Sequence, residues 1–286
     1  MESIIKAGTS AKNINKALQQ GGNIRFQKGT YKLNVPLVLY SNTNVTCEDG
    51  VVFKRNHTGR MLTTYIDKDS TKYNGVHNVT WKGGTFKADT NSSAALVIVI
   101  CHSKNIVFDG VTVDGCINLH SIEINSSAKV RVINSIFKNQ KFKEGESHKE
   151  AIQIDFCYKG GLAISGATAN SPCYDYTHCK DIEISNCLFT NVPNGIGTHV
   201  VSEQETYHSD IKITNCTFDQ ISGNCIRLLG MKNVTIAGNK FPIDGKLVVD
   251  KVSSAHTSTG KVKIPTRYNV NVNVDNSNKN VNYVFK

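Results

Sequence analysis

The sequence has no hydrophobic run long enough to span a membrane, and its first residues lack the charged-then-apolar pattern of a secretory leader. Membrane insertion is therefore not expected, whereas synthesis in a reducing cytoplasm, or export by a leaderless route, is. With only five prolines in 286 residues and no Pro- or Ser-rich stretch, no linker is visible, so 1–286 reads as a single domain. No nucleic-acid-binding motif is present, and the Lys and Arg are scattered over the chain instead of gathered in one run. The net charge of +10 nevertheless calls for an acidic partner. Among nucleic acid, a charged membrane and an anionic polysaccharide, nucleic acid fits least. The nine cysteines are an odd number, and Cys101, Cys187, Cys216 and Cys225 sit on or beside strand-like segments where thiols pack as small apolar groups. Cys157, Cys173, His178 and Cys179 cluster in sequence but match no zinc spacing, so neither a metal nor a cofactor is expected.

What is present is a repeat. DIEISNCLF begins at Asp181 and DIKITNCTF at Asp210, and related nonapeptides begin at Asn78, Asn105, Lys129 and Asn233, with successive steps of 27, 24, 52, 29 and 23 residues. Positions two and four of each copy are apolar, as in Ile182 and Ile184, which is the alternation of a strand with one buried face. Position six is always Gly or Asn (Gly83, Gly110, Asn134, Asn186, Asn215, Gly238), the residues that enter the left-handed region at least cost, so a sharp corner is expected there. A third strand follows each unit, at 95–100, 121–124, 151–154, 195–198 and 225–228. Units of about 25 residues with three short strands describe an all-β fold, a right-handed single-stranded parallel β-helix. The 52-residue step is one coil carrying two loops, 138–150 and 156–180. Residues 1–43 read as an N-terminal cap with first strands, and SAKNINKALQQGG as a short capping helix with Ile14, Ala17 and Leu18 on one side. Regular coils are expected over 44–241, and C-terminal strands or a cap over 242–286.

In a parallel sheet, equivalent positions line up in rows. With Ile122, Ile124, Ile152, Ile154, Ile196 and Ile226 inward, one outward row of the third sheet reads Glu123, Gln153, Gly197, Arg227 and the next Asn125, Asp155, His199, Leu229. One reading is an ordinary polar face with chance ion pairs. The other is a catalytic patch: Glu123 and Asp155 should lie about 8 Å apart, compatible with the roughly 6.5–9.5 Å between the carboxyls of an inverting glycosidase. Asp155 would orient His199, and Arg227 would grip a substrate carboxylate. The flanking loops would wall a groove, with Glu144, Glu146, His148 and Glu150 on one side and Tyr174, Tyr176, His178, Tyr207 and His208 on the other. Glu150, at the mouth, is a second candidate acid; Gln153, Asn125, Tyr176, Tyr207 and His208 are candidate substrate contacts.

GGNIRFQKGTYKL, PLVLYSNTNVTCEDGVVFKR and the coils that follow resemble the pectate-lyase superfamily over nearly the whole chain. More narrowly, KEAIQID, PNGIGTHV and YHSDIKITNCTF are similar to β-helix tail and surface proteins of Gram-positive phages and prophages, which bind or degrade cell-surface polysaccharide. That resemblance implies Glu150, Asp155, His199 and His208 as site residues and a virion tail or bacterial surface location; a homotrimer is an assembly compatible with a tail protein. Of the polygalacturonase pattern only Arg227 and one acid remain, and the aspartate cluster of calcium-dependent pectate lyases is missing, so neither mechanism is carried over. The expected function is depolymerisation of an anionic surface polysaccharide. Hydrolysis would use Glu123 or Glu150 as acid and Asp155 with His199 as base; elimination would use His199 or Tyr207. A glycan-binding module without turnover and a structural stem are the alternatives.

Overall fold

The computed structural model describes residues 2–90, 92–142, 149–198, 200–204, 206–257 and 260–285. Three long parallel sheets of ten, seven and nine strands wind through the chain in sequence order, which is a parallel β-helix. Each nonapeptide supplies a strand of the ten-stranded first sheet and one of the seven-stranded second sheet, as Lys180–Ser185 and Leu188–Val192 do. The third sheet contains Ile98–Cys101, Ile122–Asn125, Glu150–Asp155, Asn194–Gly197 and Asn224–Leu229, where third strands were expected.

The corners explain the repeat. Position six has positive φ in every copy, from 53° at Asn134 to 75° at Gly83. Position one has it too, at Asn78, Asn105, Lys129, Asp181, Asp210 and Asn233, a second corner that the alternation of apolar residues does not reveal. The corner amides also join the coils: Asn105 Nδ2 donates to Asn78 Oδ1 at 2.8 Å, and Asn78 Nδ2 to Asn42 Oδ1 at 3.1 Å. The cysteine after the position-six corner is small enough to pack inward, where Cys187 Sγ donates to the Ser185 carbonyl at 3.3 Å. Position nine fills the core with a column of rings, Phe137, Phe189, Phe218 and Phe241, stacked with centroids 5.0 to 5.2 Å apart.

The expected cap is the helix Ala11–Gln20. Ser10 accepts from the Asn13 amide, Gly21 closes it at a φ of 69°, and Ala11, Ile14 and Leu18 are buried. Asn15 ties it to the first coil by donating to the Pro36 carbonyl and accepting from the Val38 amide. The coils extend past both limits read from the repeat. Glu2–Ile5 and Gly22–Phe26 continue the first sheet at one end, and Lys246–Asp250, Val270–Val274 and Asn282–Phe285 continue the sheets at the other. An antiparallel hairpin, Val252–Thr257 with Gly260–Arg267, packs Val252 and Ile264 on Val201 and Leu229. No helix among the described residues is long and apolar enough to cross a membrane.

Candidate functional site

The first expected row forms in the expected register, and the second does so from Asn125 to Asp155. Glu123 pairs with Gln153, Gln153 with Gly197, Gly197 with Arg227, and Asn125 with Asp155. Their environment is the correction: these side chains do not open into a groove. Asp155 is 4% exposed, Glu123 7% and Asn125 1%, with Gln153 and Glu150 equally buried. Each already has a partner. Gln153 Nε2 donates to Asp155 Oδ2 at 2.7 Å, the Phe156 amide donates to Asp155 Oδ1 at 2.7 Å, and Asn125 Nδ2 donates to Glu123 Oε1 at 2.9 Å. Glu150 has its carbonyl bound by His120 Nδ1 at 2.8 Å, with its carboxylate 3.8 Å from the same ring. Arg227 is paired with Asp250 at 2.9 Å and is not poised for a substrate carboxylate. His199, Glu144, Glu146 and His148 lie outside the described residues.

The 156–180 loop folds back on the third sheet, where Leu162, Ile164 and Cys173 join Val99 and Cys101 in one buried apolar cluster. Arg60 Nη2 donates to the Ala163 carbonyl at 2.9 Å, and its guanidinium lies within the field of Glu123. A carboxylate out of water is costly unless it is neutralised or well bonded. Asp155 shows the strain of that position: burial, followed by the charges of Glu123 and then Glu150, pushes its carboxyl well above the usual range. Tyr158, in the same enclosure, is pushed up to about 12 by burial and then by Asp155 and Glu123.

Phe156, fully buried, is the wall between this enclosure and an open cavity. Its ring packs on Tyr158, Tyr176, His178 and His208. On the far side lies a cavity of about 580 Å³ between the 156–180 loop and Gln204, Thr206 and Tyr207, lined in part by Tyr73, Tyr176, Lys72, Lys180 and Lys232. Tyr176 and Tyr207 are thus the two sequence-derived contacts that face open space. Tyr73 donates its hydroxyl to the His178 carbonyl at 2.7 Å. His178 meets Thr206 Oγ1 at 2.9 Å, and burial lowers its pKa to about 4. His208, expected as a substrate contact, is instead buried: its Nδ1 accepts the Cys179 amide at 3.0 Å, and Nε2 has no hydrogen-bond partner among the described residues. Burial, then the neighbouring His178, drives His208 well below the ordinary imidazole range.

The lysines of this cavity escape a reading that treats basic residues as scattered. Lys180 and Lys232 occupy the position just before the nonapeptide, one column outside the repeat. The four loop residues Cys157, Cys173, His178 and Cys179 do not converge. Cys157 is joined to Cys101, and Cys179 Sγ donates to the Asp155 carbonyl at 3.1 Å. The ligand atoms of Cys101, His102 and Cys157 do lie within 4.8 Å of one another. Both His102 nitrogens, however, meet backbone carbonyls at 2.8 Å, of Lys72 and Cys173, so this ring is committed to holding the loops.

No known protein-family profile matches the sequence. It is 27% identical over 256 residues to the plasmin and fibronectin-binding protein A of Streptococcus pneumoniae, a match covering 77% of this chain and 34% of the relative. The chain thus spans about a third of the length of that curated relative. Among solved structures it is similar to PfbA, a surface adhesin of Streptococcus pneumoniae, with a TM-score of 0.72 and 22% identity over 96% of this chain and 70% of the other. It is also similar to an iota-carrageenase complexed to iota-carrageenan fragments, with a TM-score of 0.51 and 12% identity over 80% of this chain and 56% of the other. At those identities the likeness establishes the shared β-helix fold, which adhesins and polysaccharide-active enzymes both use.

Proposed function

We propose that the chain is a glycan-binding module of a bacterial surface protein and that it holds an anionic sugar in the cavity between the 156–180 loop and Gln204, Thr206 and Tyr207. The observation that supports this most directly is the contrast across Phe156. The carboxylates that would cut a glycan are enclosed and already bonded, while the tyrosines and lysines that would hold one face solvent. Tyrosine faces pack on sugar rings, and ammonium groups meet carboxylate or sulfate. The likeness to a surface adhesin agrees with a binding role at the cell surface.

Isothermal titration with uronate and sulfated oligosaccharides tests this. Binding that is lost in Tyr207→Ala, with no new reducing ends after prolonged incubation, is expected; turnover of any of these glycans would overturn it. One observation favours a second reading. A buried carboxyl pushed up beside two others, as Asp155 is, resembles a group kept protonated to act as a general acid. Catalysis would then require the 156–180 loop to lift, and Asp155→Asn would abolish turnover while leaving binding intact.

A further inference from the structure

The residues just before each nonapeptide form one column of the first sheet. By register, His77 pairs with Lys104, Lys104 with Ala128, Ala128 with Lys180, Lys180 with Ser209, and Ser209 with Lys232. Lysine therefore recurs at every second coil, three times, with the small residues Ala128 and Ser209 between. At the usual spacing of parallel strands the three lysines stand about 10 Å apart and span about 19 Å along the solenoid axis. All three are exposed. None forms an ion pair with a described residue, although Asp210 lies within the field of Lys180 and Lys232, and the nearby acids take their hydrogen bonds from other groups. Asp181 is bound by Arg131, Asp175 by the Lys72 amide and Thr177, and Asp210 by Asn233 and Ser209.

Two concavities lie along this column. The cavity described above contains Lys180 and Lys232, and a second, of about 500 Å³, contains His77, Lys104 and Lys129. Tyr73 belongs to both and joins them.

We infer that the site is a track and not a single pocket: a linear glycan with one anionic group every about 10 Å lies along the solenoid axis, its charges meeting Lys232, Lys180 and Lys104 in turn. This rests on the binding role proposed above and names the class of ligand. A glycan of that period pairs its charges one to one with the ladder. Duplex DNA, with one charge per about 1.7 Å of axis, would leave most of its phosphates unmatched.

The test uses hyaluronan oligosaccharides, which carry one carboxylate per disaccharide, as a tetrasaccharide and as a dodecasaccharide, with single-stranded DNA of equal length as a control. The dodecasaccharide binds more tightly than the tetrasaccharide. Lys104→Gln weakens the dodecasaccharide about fivefold, the loss of one exposed charge contact, and leaves the tetrasaccharide unchanged. Lys180→Gln with Lys232→Gln weakens both. If Lys104→Gln leaves the dodecasaccharide unaffected while Tyr207→Ala still abolishes both, the track is overturned and the pocket stands. If the wild-type chain binds neither length, the track is overturned along with its hyaluronan-type ligand, and retained binding of a sulfated oligosaccharide shows whether the pocket reading survives. Equal binding of DNA with the same Lys104 dependence would also overturn it, marking a general polyanion surface.

Discussion

The outer face of the third sheet and the leading edge of the first are built by the same rule, one residue per coil in register, yet they meet opposite fates. The acids of the third sheet, Glu123 and Asp155, are roofed over; the lysines of the first, Lys104, Lys180 and Lys232, are open. The difference does not come from the coils. The 156–180 loop packs on one face and rims the other. In a solenoid the repeat determines which residues share a row, and the excursions between repeats determine which rows meet solvent.

The most disruptive way to break this contrast is Phe156→Ala, which removes the wall between enclosure and cavity. A fully buried phenylalanine truncated to alanine costs about 3–5 kcal/mol, so urea unfolding should shift by that amount and sugar binding should fail with it. The two sides also respond to pH with opposite sign. His178 has a folded pKa of about 4 against 6.5 for the free side chain, so its contribution is fully present above 6.5 and is lost as pH falls toward 4. That loss is on the order of 3 kcal/mol, with His208 acting in the same direction. Thermal melts across this window should show the decline, and His178→Phe, which keeps the ring packing, should flatten it. Asp155 is raised, so the native state holds its proton longer than the unfolded chain does, and stability falls as pH rises above the ordinary carboxyl range. Asp155→Asn keeps an acceptor for the Phe156 amide and, once the Gln153 amide turns its oxygen inward, donates to Gln153 where Oδ2 now accepts. It should therefore raise stability by about 1–2 kcal/mol at slightly alkaline pH and lose that advantage in acid, as paired melts would record. The smallest effect is expected in the open row. Lys180→Gln with Lys232→Gln should change unfolding by no more than about 0.5 kcal/mol, while weakening anionic sugars in the same preparation.

Most of the winding was legible. Ile182 and Ile184 alternate because one sheet face is buried, and Asn186 and Gly238 stand where a left-handed corner is needed, so strands, corners and register follow from nine-residue windows. The row Glu123, Gln153, Gly197, Arg227 was readable for the same reason. The burial of Asp155 was not, because it depends on where residues 156–180 fold, and that segment has no period of its own. Arg227 was misjudged because its partner Asp250 lies in a tail whose membership of the third sheet no repeat announces. The lysine column was within reach: aligning one residue further toward the N-terminus of each nonapeptide brings Lys104, Lys180 and Lys232 together.

The amides of the positive-φ asparagine corners point one way. Asn78 donates to Asn42, Asn134 to Asp109, Asn191 to Asn139, Asn233 to Asp210 and Asn271 to Asn233, in each case toward the preceding coil. A carboxylate can accept on such a ladder but cannot hand anything backward. Coils are therefore not interchangeable modules: each corner aspartate needs a donor from a neighbouring residue, which Arg131 supplies for Asp181 and Asn233 with Ser209 for Asp210. Anyone lengthening this solenoid by splicing would have to supply a donor opposite each corner acid, as Asn233 does for Asp210.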